Sequence, residues 1–180
     1  WIIVPLLTLS LGSNIDADAN IRKAVAELRT RFPGLRCSSV YESESVGFEG
    51  DNFLNLVTVA ETEKPLPDLL REIKAIEAAL GRDRSQPKFS SRCIDIDILT
   101  YGELSGEHAG ILLPRGEILE HAFVLQPLAE ILPDMKHPST GRTLTEHWDA
   151  FNKTGQKLWR RNFDWYAHTA PPTAARAEPD

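Results

Sequence analysis

Residues Ile94-Asp95-Ile96-Asp97-Ile98-Leu99-Thr100-Tyr101 carry the reading from which the rest follows. Apolar and polar side chains alternate with period two, the signature of a half-buried β-strand. Alternate side chains share a face, so Ile94, Ile96 and Ile98 point one way, toward a core. Asp95 and Asp97 point the other way together. Two carboxylates about 7 Å apart along a strand repel one another unless something offsets them. A divalent cation is one partner for such a pair, and an all-oxygen ligand set favours Mg²⁺. The wet outer face of an edge strand is the other reading of the same two residues.

The segment just upstream, Arg82 to Arg92, bears on that choice. Arg82, Arg84, Lys88 and Arg92 stand against the single acid Asp83, leaving +3. Arginine grips phosphate through a planar fork. A basic loop running into a carboxylate pair suits a metal–polyphosphate complex: carboxylates hold the metal and arginines neutralise the remaining phosphate charge. A solvated surface loop is the bland alternative. With few apolar anchors besides Pro87 and Phe89, the loop is expected to act as a lid that phosphate orders.

Further upstream, Leu6 to Leu11 alternates as a first strand and meets the turn signal Gly12-Ser13-Asn14. Ile21, Val25, Leu28 and Phe32 keep helical spacing over residues 18–32, and Pro33-Gly34 stops that helix. Residues 36–43 read as a strand, 44–52 as a loop and 53–61 as a strong strand. Leu69, Leu70, Ile73, Ile76 and Leu80 stripe a second helix over 65–80, with Gly81 at its C-terminal end. The order β-α-β-β-α-β is the ferredoxin-like, split βαβ pattern of an α+β protein. Residues 103–135 add a hairpin and a short helix around 127–131, and Thr143-Leu-Thr-Glu146 fits a capping box for a last helix. One domain over 1–165 is expected, with a disordered tail over 166–180.

On strand 53–61, Phe53 and Asn55 share a face. An aromatic beside an amide can stack on a flat heterocycle and pair with its edge. Taken alone, core packing by Phe53 and a turn-facing Asn55 is the simpler explanation of the two residues. Thr8 and Ser10 are expected on the same open face.

The 180 residues carry 26 acidic and 20 basic side chains, a net charge of −6, which argues against broad nucleic-acid binding. No apolar run is long enough to span a membrane. Cys37 and Cys93 fit no metal or redox spacing and read as free thiols in a reducing, cytoplasmic setting. The five histidines show no ligand spacing and are expected at the surface. Neither a P-loop nor a Rossmann glycine motif occurs.

Across residues 6–150 the chain resembles the 6-hydroxymethyl-7,8-dihydropterin pyrophosphokinases. The resemblance is carried by Arg92-Cys-Ile-Asp95-Ile-Asp97-Ile-Leu99, Leu11-Gly12-Ser13-Asn14, Phe53-Leu54-Asn55, Glu77 with Gly81-Arg82-Asp-Arg84, and Phe123-Val-Leu-Gln-Pro127-Leu128. It implies transfer of a pyrophosphoryl group from ATP to a reduced pterin in folate synthesis, and a monomer is expected. It implies that Asp95 and Asp97 bind two Mg²⁺, and that Arg82, Arg84 and Arg92 hold the triphosphate. Glu77 and Ile98 would lie near the nucleoside. Phe53 and Phe123 would sandwich the pterin, Asn55 would pair with its edge, and Gly12, Ser43 and Val46 would line the pocket.

The chain departs from the family at Ser90-Ser91, at His121, in the proline-free loop Ser43-Glu-Ser-Val-Gly47, and at Arg115, which would supply cationic character toward ATP. A non-catalytic nucleotide- or pterin-binding paralogue is the alternative reading. Retention of both aspartates with Arg82 and Arg92 favours the enzyme.

Overall fold

The computed structural model describes residues 3–44, 50–81 and 93–166. Val46, the segment Arg82–Arg92 with its expected lid, and the tail beyond Tyr166 lie outside the described residues. The elements are β1 (Leu6–Ser13), α1 (Ala17–Arg31), β2 (Arg36–Cys37), β3 (Val40–Ser43), β4 (Phe53–Glu61), α2 (Leu66–Ala79) and β5 (Asp95–Tyr101). A hairpin follows, β6 (Gly106–His108) and β7 (Ile111–Leu113). The chain continues through α3 (Glu117–Glu120), α4 (Ala122–Ile131), α5 (Leu144–Ala150) and β8 (Leu158–Arg161). The sheet order is β5-β1-β4-β3-β8, with β2 also on β4, and every pairing is antiparallel. The α+β, ferredoxin-like reading holds: α1 and α2 cover one face, and α3, α4 and α5 cover part of the other.

Burial explains the layering. Leu7, Leu9 and Leu11 of β1, Leu54 and Leu56 of β4, and Ile94, Ile96 and Ile98 around β5 form one core with Ile21, Val25 and Leu28 of α1 and Leu69, Ile73 and Ile76 of α2. Val57 and Leu99 turn the other way and pack with Ile118, Val124, Leu125, Leu128 and Leu144. The strand alternation read from the sequence therefore separates two cores through one sheet. Gly81 ends α2 at φ +85°, and Thr143 with Glu146 forms the expected capping box, Glu146 N–H donating to Thr143 Oγ1 at 3.1 Å. Among the described residues no helix is long and apolar enough to cross a membrane.

Three features differ from expectation. The strand expected over 36–43 is split. Cys37 faces Thr58, whereas Tyr41 faces Asn55, so the register slips by one residue between them. This is a β-bulge. Val57 N–H donates to Ser38 Oγ at 2.9 Å and Ser39 N–H donates to Glu130 Oε2 at 2.7 Å, so side chains satisfy amides that the ladder leaves. Next, α4 begins at Ala122, five residues before Pro127, which sits inside the helix. Finally, β8 adds a strand to β3, and Phe163 and Trp165 pack against the α1/α2 core.

His137 corrects the surface reading of the histidines: it is only 4% exposed and meets His147 edge-on, with ring centroids 5.5 Å apart. Ser139 N–H donates to its Nδ1 at 3.2 Å. Burial, then the neighbouring His147, lowers the His137 pKa, and burial also lowers that of His147. Protons then bind the unfolded chain more readily than the folded one. Stability should be complete above the unfolded value of about 6.5 and should fall as pH drops below it. Denaturation midpoints measured from pH 7.5 to 5 should show this slope, and it should flatten in His137→Leu.

Thr58 Oγ1 is buried and has no hydrogen-bonding partner among the described residues. Thr58→Val removes that orphaned hydroxyl at nearly constant shape. It should raise the unfolding free energy by about 1 kcal/mol, read by urea denaturation.

Candidate active site

The register of four strands builds the site. Asp95 of β5 lies opposite Gly12 of β1, Gly12 opposite Asn55 of β4, and Asn55 opposite Tyr41 of β3. Facing residues on adjacent strands project to the same side. Tyr41, Asn55 and Asp95 therefore stand in one row on the face that α4 only partly covers. In the next row Val57 faces Ser10 and Ser10 faces Asp97, and on the other flank Ser43 faces Phe53. Thr8 shares this side and meets Thr100, Oγ1 to Oγ1, at 2.6 Å. The expected common face of Thr8, Ser10, Phe53, Asn55, Asp95 and Asp97 is thus present.

Two bulges aim this face. Without the slip between Cys37 and Tyr41, Tyr41 would share the core side with Cys37. Instead Val40 enters the α1/α2 core and Tyr41 turns to α4, where its hydroxyl donates to Glu130 Oε1 at 2.5 Å. Burial, then the bond to Glu130, pushes the Tyr41 pKa up to about 12, so it stays a protonated donor. The second bulge lies on β5. Leu9 faces Ile98 and Thr8 faces Thr100, which leaves Leu99 as the extra residue.

Gly12 is required by contact. A Cβ there would lie 2.7 Å from Asn55 Oδ1. Asn55 is 7% exposed, and its Nδ2 donates to Ser43 Oγ at 3.5 Å. The amide is thus held between Gly12 and Ser43, which brings these three expected pocket residues together. Phe123 stands at the start of α4 and stacks on His121, with centroids 4.9 Å apart and planes 15° apart. Gln156 steadies that junction, accepting from Ala122 N–H at 2.8 Å and donating to Glu120 O at 3.1 Å.

At the other end of the face, Asp97 is half exposed and pairs with Arg115, Nη2 to Oδ1 at 3.0 Å. Arg115, expected to face ATP, is thus brought beside Asp97. Glu77 is 3% exposed and accepts from Ile96 N–H at 3.3 Å along the open edge of β5. Ile98 is buried in the α1/α2 core, so its side chain cannot meet a ligand on the aspartate face. Its backbone, two residues from Ile96, turns to the same open edge as Glu77. Arg82, Arg84, Arg92 and Val46 lie outside the described residues.

The sequence reading gave Ser13 and Asn14 only a turn. Ser13 Oγ donates to Cys93 O, and Asn14 Nδ2 donates to Asp51 O at 3.2 Å. One dipeptide thereby ties β1 to the residue that leads into β5 and to the approach to β4. A polar cavity of about 570 Å³ also opens beside the start of α1, lined by Asn14, Asp16, Glu42, Asp51 and Arg161 among others. It contains none of the expected site residues, and its acidic lining disfavours an anionic ligand.

The antiparallel ferredoxin-like sheet thus carries Phe53, Asn55, Asp95 and Asp97 on one face. The chain belongs to the 7,8-dihydro-6-hydroxymethylpterin-pyrophosphokinase family, whose model matches residues 8–133. It is 37% identical over 140 residues to the 2-amino-4-hydroxy-6-hydroxymethyldihydropteridine pyrophosphokinase of Aquifex aeolicus, covering 77% of this chain and 87% of that protein. It is 34% identical over 142 residues to the enzyme of the same name from Synechocystis, covering 77% of this chain and 72% of that one. A Plasmodium falciparum HPPK-DHPS solved with pterin and p-hydroxybenzoate shares the fold at TM-score 0.63 and 16% identity. That match covers 82% of this chain and 43% of the Plasmodium chain.

Gly12→Ala should displace the Asn55 amide while leaving the two cores intact. Pterin affinity measured by calorimetry should fall by roughly 1–3 kcal/mol, the cost of unpairing buried ring groups. The thermal midpoint should move by no more than a few degrees. Unchanged pterin binding would remove Asn55 from the pocket.

Proposed function

We propose that this chain transfers the pyrophosphoryl group of ATP to the hydroxymethyl oxygen of 6-hydroxymethyl-7,8-dihydropterin, releasing AMP. The observation that carries this reading is the row Tyr41–Asn55–Gly12–Asp95, which sets a heterocycle-pairing amide two strands from a carboxylate pair. Asn55 pairs with the pterin edge, Phe53 and Phe123 sandwich the ring, and Gly12, Ser43 and Val46 line the slot. Arg82, Arg84, Arg92 and Arg115 hold the triphosphate. Glu77 and the backbone of Ile98 lie beside the nucleoside at the open edge of β5.

Asp95 and Asp97 suit Mg²⁺, with two ions expected. Asp97 already draws a cation, the Arg115 guanidinium. Mg²⁺ takes one or two carboxylates and fills its shell with water and phosphate, so a pair of aspartates is enough protein ligand for it. When bound, Mg²⁺ would neutralise charge on the transferred group. The pterin hydroxyl attacks the β-phosphorus. The new O–P bond forms as the bond to the α,β-bridging oxygen breaks, AMP leaves, and the hydroxyl proton passes to solvent. Such transfer depends on positioning and electrostatics, which the row of side chains and the arginines supply.

Incubation with ATP, Mg²⁺ and the reduced pterin should yield AMP, identified by chromatography. ADP or no turnover would overturn the reading. Asp95→Ala and Asp97→Ala should each lower the rate by at least ~10²-fold. Both should keep near-normal thermal stability, because the two side chains face away from the isoleucine core.

A further inference from the structure

We propose that Arg115 is a resident counter-cation for the carboxylate pair, one that competes with the metal for Asp97 and is handed to the nucleotide phosphates when the metal binds. The inference rests on the pyrophosphokinase reading of this face.

The geometry ties Arg115 to the strand that carries the pair. Its backbone N–H donates to Leu99 O at 2.9 Å, and Leu99 lies two residues beyond Asp97 on β5. Ile118 N–H donates to Arg115 O at 3.2 Å, and Leu113 and Ile118 on either side are buried in separate cores. The backbone is therefore fixed, and only the long side chain can move. Its Nη2 lies 3.0 Å from Asp97 Oδ1, so it already neutralises the carboxylate that a divalent ion would need. A guanidinium and a divalent ion drawn to one carboxylate repel each other and so compete for it.

The pair is also built to exchange. The Arg115 side chain is 32% exposed and that of Asp97 51%, so water competes with the contact and holds it weakly. One nitrogen meets one oxygen, a single-pronged contact weaker than the two-pronged grip that makes an arginine–carboxylate pair durable. A polyphosphate offers the same guanidinium several charged oxygens at once. Metal arriving with its nucleotide thus displaces Arg115 from Asp97 and supplies its next partner in the same event. Metal without nucleotide must displace Arg115 and offers it nothing. The residue accordingly biases the site toward the metal–nucleotide complex over the free ion.

The signature is two effects of opposite sign. In Arg115→Gln, Mn²⁺ titrated into the full chain without nucleotide and followed by electron paramagnetic resonance should bind roughly two- to fivefold more tightly. A non-hydrolysable ATP analogue with saturating Mg²⁺, titrated by calorimetry, should bind about tenfold or more weakly. Arg115→Lys keeps the charge and should restore Mn²⁺ affinity to the wild-type value, while only partly restoring the analogue. A residue that merely supports the fold would move both affinities the same way, or neither. If Asp97→Ala abolishes Mn²⁺ binding while Arg115→Gln leaves it unchanged or weaker, the counter-cation role is wrong and the pyrophosphokinase reading stands. If Asp95→Ala and Asp97→Ala leave Mn²⁺ binding untouched, the reading of the face itself fails.

Discussion

The structure depends on one constraint, the pairing of β1 with a neighbour on each side. Leu6 to Ser13 is matched residue by residue to β4, and most of the same strand to β5. This double ladder puts Asn55, Gly12 and Asp95 on one line across three strands. A slip of one residue in either pairing would send Asp95 and Asp97, or Asn55, into the helix core. Burial of Ile96 and Ile98 of β5, and of Leu54 and Leu56 of β4, on the other face makes such a slip costly, since it would carry the slipped strand's pair out of the core together. The hydrophobic effect on one side of the sheet thus fixes the chemistry on the other.

Two carboxylates complete what the sheet cannot. Glu130 accepts from Ser39 N–H where the bulge opens the β3–β4 ladder, and also from the Tyr41 hydroxyl. Glu77 accepts from Ile96 N–H where β5 has no further strand to pair with. A backbone donor left dry in either place would cost far more than the surface ion pairs of this chain return. Glu130 additionally meets Arg160 of β8 at 3.3 Å, so the last strand reaches the row of site residues through Tyr41. The C-terminal segment therefore acts on the site face although it lies beyond the residues the family model matches.

Much of this was legible from local pattern. Strand alternation gave the two faces of β1, β4 and β5, helical spacing gave α1 and α2, and the capping box gave α5. What escaped has a common physical origin. A bulge is a mismatch between two strands and leaves no mark in either alone, so the split at Ser38–Ser39 and the orientation of Tyr41 were hidden. Pro127 argued for a helix start, yet α4 tolerates it in its interior because flanking residues are buried. The roles of Ser13, Asn14, Glu130 and Gln156 come from partners dozens of residues away. β8 is four residues long and holds Arg160 and Arg161, too short and too charged to alternate visibly.

Gly12 has a consequence for inhibition. No side chain can be added there without meeting Asn55 Oδ1, and Asn55 is the group proposed above to pair with the pterin edge. An inhibitor resting on the Gly12 backbone and paired with Asn55 would touch two positions that cannot drift independently. Substitution at Gly12 moves the amide, and substitution at Asn55 removes it, so either route to drug escape damages recognition of the substrate that the inhibitor imitates. Compounds anchored to this part of the slot should meet a higher genetic barrier to resistance than compounds reaching for the exposed rim around Arg115.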